Sequence, residues 1–349
     1  MATDRKHCSV LYNLVGDDEF EKYRHIDPAS LPFKPEYPLD VRTAREEYEA
    51  IAHALENAGY SVELHNLEDD FDRLRNLLDG DPPDVIFNLV EIFNGEPRLE
   101  SAITGLFDLF GIPYTGSTPF TLGLCQRKAL TKHVLASQKI PTPRFRLLRR
   151  PTKLRRHGLH YPIIVKPARE DASLGVEPGS VVYDARQLAE RVSAVYEKFR
   201  QPVLLEEFIQ GPELHVSILG NNPPKALPII EYDFSELPQD HPPIITYDIK
   251  WNPTELVYHR VYSTCPAELP KSAAKRVAEV ALEAYQAVYC RDYARVDIRL
   301  SEDRKPYVLE VNPNPDLTEG VSFMESAEEA GLSFPETLRT IVECALARG

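Results

Sequence analysis

The chain has 349 residues, 43% of them hydrophobic and 27% charged, so it can bury a large core in two or three domains. Its net charge of −14 argues against a broad electrostatic grip on nucleic acid or on an anionic membrane. The five cysteines form no C-x-x-C pair, and no apolar run is long enough for a signal peptide or a membrane span. We therefore expect a cytoplasmic protein with reduced thiols that binds neither nucleic acid nor membrane.

The first third of the chain alternates strand and helix signals. Apolar runs at 9–15, 60–67 and 84–90 predict strands, whereas apolar residues recur at helical spacing over 41–55 and 99–110. This order predicts a parallel sheet flanked by helices. No G-x-G-x-x-G follows any of these strands, so the dinucleotide-binding fingerprint is absent.

The rest of the chain mixes long helices with strand pairs. Helices are predicted over roughly 120–138, 184–199 and 268–289, and a final helix begins with the capping box Ser333 and Glu336. An apolar strand ends at Lys166, and two more strands within 202–219 are separated by Gly211 and a proline.

Two late strands, ARVDIRL and YVLEVN, are joined by the hairpin-length loop SEDRKP. Period-two alternation predicts that Leu309 and Val311 face the core. The opposite face is expected to carry Arg295, Asp297, Arg299, Val308, Glu310 and Asn312. Symmetrical pairing places Asp297 opposite Glu310 and Arg295 opposite Asn312, with Cβ atoms roughly 5 Å apart.

Two opposed carboxylates repel each other unless a positive group lies between them. Asp297, Glu310 and the carbonyl of Asn312 form an all-oxygen donor set of the kind that Mg²⁺ accepts. The alternative is a solvated face with ordinary Arg–Asp pairs, which is common in proteins.

Other polar residues interrupt apolar strands in the middle of the chain. Lys166 precedes the small-residue loop PAREDASLGV, which suits phosphate oxygens, although a lysine at a sheet edge is an equal alternative. Glu206 or Glu207 would accept from an exocyclic amine, and Glu213, beyond the Gly-Pro turn, would accept from ribose hydroxyls. Acidic residues around a turn are, however, usually just solvated.

Taken in this order, these segments resemble the ATP-grasp superfamily, and within it the D-alanine–D-alanine ligase branch. The most specific likeness is ARVD and EVN following a VKP-x-R-E loop. The matching segments are GIPYTGS (111–117), RKALTKHVL (127–135), PIIVKPAREDASLGV (162–176), VLLEEFIQGPELHVSIL (203–219), YARVDIRL with YVLEVNPNPDLT (293–318) and AGLSFPETL (330–338).

The resemblance implies an α/β (α+β) ATP-grasp fold of three domains. An N-terminal parallel α/β domain (1–116) would precede a central domain (117–207) and a C-terminal domain (208–349). ATP would lie between the antiparallel sheets of the last two. A homodimer is a further expectation from the resemblance.

Carried over position by position, the resemblance implies nucleotide contacts from Lys128, Lys166, Glu206, Glu207, Ile209 (through its backbone) and Glu213. Two Mg²⁺ ions, with Mn²⁺ as an alternative, would bind Asp297, Glu310 and Asn312. The catalytic side chains would be Arg295, which stabilises the charged intermediate, Lys250, on a mobile cover, and Ser173.

In the family's reaction, a carboxylate attacks the γ-phosphate of ATP to give an acyl phosphate, and an amine then displaces phosphate to form an amide. Such catalysis depends on position and electrostatics, which agrees with a sequence that offers no Ser-His or Cys-His nucleophile. The expected substrates are an amino acid or similar small carboxylate and an amine.

The chain departs from the family on the substrate side. The Glu-Val-Ser segment that grips the first D-alanine has no counterpart in residues 13–28, and the Gly-Ser-Ser loop reads Asp-Ala-Ser at 171–173. The lid tyrosine is Trp251, and the carboxylate-binding serine is Val321. The Gly-Glu-Asp-Gly stretch becomes GEPRLES, which leaves Glu100 at the acidic position. These differences predict a ligase with substrates other than two D-alanines.

Three other functions compete with this interpretation. A true D-alanine–D-alanine ligase would need different substrate contacts, and a nucleotide-binding protein without ligase activity should have lost part of the charged set. A glycosidase using Asp297 and Glu310 needs one carboxyl group with a raised pKa, whereas Arg295 and Arg299 would lower both.

Overall fold

The computed structural model describes residues 5–16, 18, 20–151 and 157–348. In this part of the chain no helix is both long and apolar enough to cross a membrane. The strands form three separate sheets.

The first sheet is parallel, as predicted, with strand order β2-β1-β3. Its strands and helices are β1 (His7–Tyr12), α1 (Ala44–Asn57), β2 (Ser61–Asn66), α2 (Phe71–Asp79), β3 (Val85–Asn88) and α3 (Glu100–Phe110). Short 3₁₀ turns lie at Glu21–His25, Pro28–Ser30 and Pro97–Leu99. Helix α3 ends, as expected, where Gly111 adopts a left-handed conformation with φ of 68°.

The second sheet is antiparallel, with order β4-β7-β5-β6. The elements of this region are α4 (Pro119–Cys125), α5 (Lys128–Ser137), β4 (Phe145–Leu148), β5 (Ile163–Pro167), a 3₁₀ turn at Pro178–Ser180, β6 (Val181–Val182), α6 (Ala185–Phe199) and β7 (Val203–Glu207). The single helix predicted over 120–138 is wrong. Arg127 has non-helical backbone angles (φ −99°, ψ 74°), so a new helix begins at Lys128.

The third sheet is antiparallel, with order β11-β10-β8-β12-β13 and β9 paired to β8. Its elements are β8 (Glu213–Leu219), β9 (Lys225–Ala226), β10 (Ile230–Asp233), α7 (Tyr247–Trp251), a 3₁₀ turn at Leu256–Arg260, β11 (Tyr262–Thr264), α8 (Lys271–Ala287), β12 (Tyr293–Leu300), β13 (Pro306–Asn312), α9 (Ser322–Glu329) and α10 (Phe334–Leu346). The capping box at the start of α10 is confirmed. Lys250, expected on a mobile cover, lies in the short helix α7.

The apolar face of the third sheet packs on α8. Val216, Val296 and Val308 are fully buried in one cluster with Val277 and Ala284 of that helix. This packing leaves the opposite face of β8, β12 and β13 for the charged residues.

The last helix, α10, returns to the first sheet. Leu338 and Ile341 share a buried cluster with Leu55 and Phe87. Each sheet lies within one of the ranges 1–116, 117–207 and 208–349, whereas this core joins the first range to the last. The proposed domain limits stay a prediction.

The faces of β13 differ in part from those predicted. Pairing shifts between Asp297 and the next residue of β12, because Asp297 pairs with Glu310 while Ile298 pairs with Val308. This bulge turns Val308 into the core and leaves Leu309 half-buried. The prediction that Leu309 faces the core is therefore wrong, whereas Glu310 keeps its predicted side.

Gly211 forms the turn between β7 and β8 in a space that no side chain fits. It has φ of 127°, and a Cβ atom there would lie 1.9 Å from the carbonyl oxygen of Leu300. Its own carbonyl accepts a hydrogen bond from Arg299 Nη1 at 2.9 Å. The turn therefore packs directly against the backbone of β12, the strand that carries Arg295 and Asp297.

We expect Gly211→Ala to destabilise the protein by more than about 2 kcal/mol, because backbone atoms must move to admit the methyl group. Thermal unfolding of the purified variant measures this. The control is Gly179→Ala, where a Cβ atom meets nothing within 4 Å. Equal melting temperatures for the two variants would contradict the expectation.

Candidate active site

The hairpin of β12 and β13 brings two carboxylates face to face. Asp297 pairs with Glu310, and Arg295 pairs with Asn312, so the predicted register is confirmed. Arg295 donates from Nε and Nη2 to the two oxygens of Asp297 at 2.7 and 3.0 Å. Asn312 Nδ2 donates to Asp297 Oδ2 at 3.1 Å. Although burial opposes ionisation, Arg295 lowers the pKa of Asp297, so this carboxylate is charged at neutral pH.

Lys128, the first residue of α5, bridges the other carboxylate to a loop. Its ammonium lies 2.6 Å from Glu310 Oε2 and 2.9 Å from Asp171 Oδ1. Burial opposes the positive charge of Lys128, but the two carboxylates outweigh it and raise the pKa of Lys128. Lys128 and Lys166, in turn, lower the pKa of Glu310 against the effect of burial. Glu310 is therefore ionised and held between cations.

A second buried cluster lies on the facing sheet. Glu206 of β7 is contacted by Lys166 Nζ at 3.0 Å and by Lys132 Nζ at 2.8 Å. Lys132 also donates to Thr142 Oγ1 at 2.9 Å. Burial lowers the pKa of Lys132 to about 8, and Glu206 limits that fall, so Lys132 is mostly charged at pH 7. Two cations around one carboxylate leave a net positive charge, which favours phosphate oxygens.

Two polar side chains on the charged face of β8 have no hydrogen-bond partner within the described part of the chain, although His215 Nε2 lies 3.6 Å from Asp297 Oδ1. Among the described residues, neither ring nitrogen of His215 nor Oγ of Ser217 has a hydrogen-bond partner, although both side chains are buried. His215 pairs with Asp297 and Ser217 with Arg295 in the sheet register. Burial, aided by Arg295, lowers the pKa of His215 to about 3, so the imidazole is neutral. Buried polar atoms without partners indicate that this face accommodates a polar ligand.

The remaining residues expected to bind the nucleotide differ in their contacts and in the face of the sheet on which they lie. Glu213 accepts from Arg299 Nε and Nη2 at 3.1 and 2.7 Å. Glu207 lies on the opposite face of β7 from Glu206, where it contacts His160 at 2.9 Å. Of the adjacent pair, only Glu206 therefore faces the lysines. Ile209, just beyond β7, is half-buried.

Helix α7 covers the loop after β5. Trp251 Nε1 donates to the carbonyl of Ala172 at 3.1 Å, and the Lys250 ammonium lies 4.9 Å from the Trp251 ring centre. Ala172 and Ser173 both have positive φ, 51° and 61°. Burial and then Arg295 lower the pKa of Lys250, so this lysine is electrostatically linked to the hairpin.

Comparison with known proteins places this arrangement in a family. Residues 134–343 match the model described as D-ala D-ala ligase C-terminus. The D-alanine–D-alanine ligase of Desulforudis audaxviator is 32% identical over 318 residues, which cover 90% of this chain and 95% of that protein. The chain belongs to the D-alanine–D-alanine ligase family.

Two further proteins resemble the chain. An uncharacterised protein of Sinorhizobium fredii is 33% identical over 304 residues, covering 85% of this chain and 86% of that protein. The crystal structure of a D-alanine–D-alanine ligase from Bacillus anthracis complexed with ATP superposes with a TM-score of 0.73. The superposition covers 99% of this chain and 98% of the Bacillus anthracis chain, at 24% sequence identity, which shows a shared fold. The chain is thus an ATP-dependent carboxylate–amine ligase with the ATP-grasp fold.

A group of acidic residues lies near the candidate site. Burial, followed by the charge of Asp316, raises the pKa of the half-buried Glu47 to about 7. The Glu91 side chain is solvent-exposed, and the charge of Asp316 acts to raise its pKa as well. The charge of Lys250 acts to lower the pKa of Glu91, and the charge of Asp316 acts to raise the pKa of Lys250. Glu100 is buried between Asn314 Nδ2 (3.2 Å) and Gln126 Nε2 (2.8 Å), and burial raises its pKa to about 8. A cationic ligand group would be favoured beside these carboxylates.

Sequence reasoning did not single out Lys132, His215 or Asp171 of the candidate site. Lys132 follows Lys128 at a spacing of four, which is a helical signal for one shared face. His215 alternates with Glu213 on β8, so its side was predictable, but nothing in the sequence connects it to Asp297. Asp171 lies in an irregular loop, where no periodicity assigns a direction to its side chain.

We expect Lys132→Met to weaken the ligase's ATP binding at least tenfold and to cost about 3 kcal/mol of folding free energy, because Glu206 loses one of its two buried cations. Calorimetric ATP titration and thermal unfolding measure the two effects. Lys275→Met, on the exposed side of α8, is the control. If both variants bind ATP like the wild type, Lys132 has no part in positioning Glu206 and Lys166.

Proposed function

We propose that the ligase reaction takes place between the four-stranded and six-stranded sheets, on the charged face of the β12–β13 hairpin. The supporting observation is the opposed pair Asp297 and Glu310, held by Arg295 on one side and by Lys128 on the other. In this proposal Lys128 and Lys166 bind ATP phosphates.

The nucleotide's other contacts follow from the neighbouring residues. Glu206 and the backbone of Ile209 would meet the adenine, and Glu213 would meet the ribose. The side chain of Glu207 lies on the far face of β7, which limits its part in this proposal to its backbone. Glu206 and Glu213 are already fixed by Lys166 and Arg299, so they are rigid acceptors.

The donor set Asp297, Glu310 and Asn312 fits Mg²⁺, with Mn²⁺ as an alternative. Four carboxylates (Asp171, Glu206, Asp297, Glu310) and four cations (Lys128, Lys132, Lys166, Arg295) balance in charge here. A triphosphate adds about four negative charges, which divalent cations offset. When bound, Mg²⁺ would neutralise phosphate oxygens during transfer.

The chain's own residues then have defined tasks. Lys128 and Lys166 hold the γ-phosphate in line with an attacking substrate carboxylate, whose oxygen bonds to phosphorus as ADP leaves. Arg295 would stabilise the oxyanion that forms when the amine attacks the acyl carbon, before phosphate leaves, a contribution of ~3 kcal/mol. Lys250, Ser173 and Trp251 would form a cover over the reacting groups, where Trp251 contacts both Lys250 and the carbonyl of Ala172.

We further propose that the amine substrate carries no carboxylate at the family's usual position. Val321 precedes α9 as its N-cap and supplies no side-chain hydrogen bond there. The carboxylates Glu47, Glu91 and Asp316 favour a cation instead. An amine with a second ammonium group meets both conditions.

A second candidate is D-alanine–D-alanine ligation, which the relatives' names support. The domain ranges 1–116, 117–207 and 208–349, a homodimer and a cytoplasmic location are further parts of the proposal.

Paired pools of carboxylates and amines, read by ADP release and mass spectrometry of the product, distinguish the candidates. We expect ADP release with diamines or other amines that lack a carboxylate, and little with D-alanine alone. Val321→Ser, which restores a hydroxyl at the N-cap of α9, should shift use toward amino acid acceptors.

Dipeptide formed from D-alanine alone would favour the second candidate. If no pool raises ADP release above that of the protein by itself, the proposed ligase site is wrong.

A further inference from the structure

The loop after β5 contacts a buried cation of the site, Lys128, through one acid. Asp171 accepts from Lys128 Nζ at 2.9 Å, and the same ammonium contacts Glu310 at 2.6 Å. The side chain of Lys128 is 7% exposed, whereas that of Asp171 is 48% exposed. Asp171 therefore reaches from a solvated loop onto a buried lysine.

Of the two partners of Lys128, Asp171 is the one free to move. Glu310 is fixed in the paired strand β13. Asp171 precedes Ala172 and Ser173, which both hold positive φ, a conformation that costs free energy for residues other than glycine. A loop under such strain separates from its partner more readily than a strand does.

A phosphate bound to Lys128 would lie within about 5 Å of the Asp171 carboxylate, because both would contact one nitrogen. At that distance two anions repel strongly in a partly buried site. Arrival of the phosphate thus requires Asp171 to leave or to be neutralised.

We propose that Asp171 is a positioning residue that competes with the nucleotide's phosphates for Lys128, pinning the loop when they leave and hastening their release. This inference rests on the proposed role of Lys128 in phosphate binding. It assigns to Asp171 an effect opposite to that of the other charged residues here, since its removal strengthens nucleotide binding.

The chain contains its own reporter for this loop. Trp251 is the only tryptophan, and its indole nitrogen donates to the carbonyl of Ala172, next to Asp171. Its fluorescence therefore responds to movement of the loop without a label.

The test is a titration of wild type and Asp171→Asn with Mg²⁺-ADP, followed by Trp251 fluorescence and by stopped-flow dissociation. ADP avoids turnover, so no substrate is needed. We expect Asp171→Asn to lower Kd by roughly threefold to tenfold, as for the loss of one half-exposed ion pair, with slower dissociation. Asp171→Ala should act in the same direction.

Glu170→Gln is the matched control, because it removes an equal charge from the same loop at a residue that contacts Gln201 instead of Lys128. It should change Kd less than twofold. An unchanged Kd in both Asp171 variants overturns the inference. A raised Kd overturns it too and makes Asp171 a donor to the bound cation.

The titration with Mg²⁺-ADP measures nucleotide binding, and the assay with amine pools measures ligation, so the two can fail separately. If the wild type binds Mg²⁺-ADP but no amine pool is used, the proposed function fails while this inference stands. If neither the wild type nor the Asp171 variants bind it, both fall together.

Discussion

Two carboxylates on neighbouring strands, Asp297 and Glu310, repel each other unless cations are held beside them, and much of the site follows from this constraint. Arg295 neutralises one from the same strand, and Lys128 neutralises the other from helix α5. Lys128 begins helix α5, whose Leu135 is buried in one cluster with Val308 of β13, so apolar packing holds this cation beside the hairpin.

The same balance explains why the site suits a polyphosphate with divalent cations. Each cation is shared with a carboxylate, so binding exchanges partners rather than exposing a bare charge. The partner exchanges differ in cost: Glu206 and Asp297 are deeply buried, whereas Asp171 is half-exposed on a strained loop. Exchange at the loop residue Asp171 would therefore modulate nucleotide affinity. The buried ion pairs of Glu206 and Asp297 would fix the positions of the groups that contact the nucleotide.

Much of the nucleotide half of the site could be predicted from the sequence. Alternation and loop length sufficed for the register of Asp297 and Glu310, because a hairpin leaves few alternatives. The bulge that turns Val308 inward could not be predicted, since the packing of α8 decides it. The contacts of Lys132 and Asp171 depend on how distant segments meet, which no local pattern contains.

The part of the site that would bind the amine substrate was harder to predict from the sequence. Glu47, Glu91, Glu100 and Asp316 come from separate elements of the first and third regions, and their shared effect on pKa depends on the assembled cleft. The sequence showed only that residues such as Val321 depart from the family's pattern. What replaces the lost contacts becomes visible once the chain is folded.

The central claim is that the β12–β13 hairpin binds the metal that accompanies ATP. The most direct measurement is the Kd of ATP with and without Mg²⁺ for the wild type, Asp297→Asn and Glu310→Gln, with Glu302→Gln in the exposed hairpin loop as the control. Mg²⁺ should strengthen binding at least about tenfold in the wild type and the control, and should have little effect in the other two variants. Equal strengthening by Mg²⁺ in all four proteins would contradict this account.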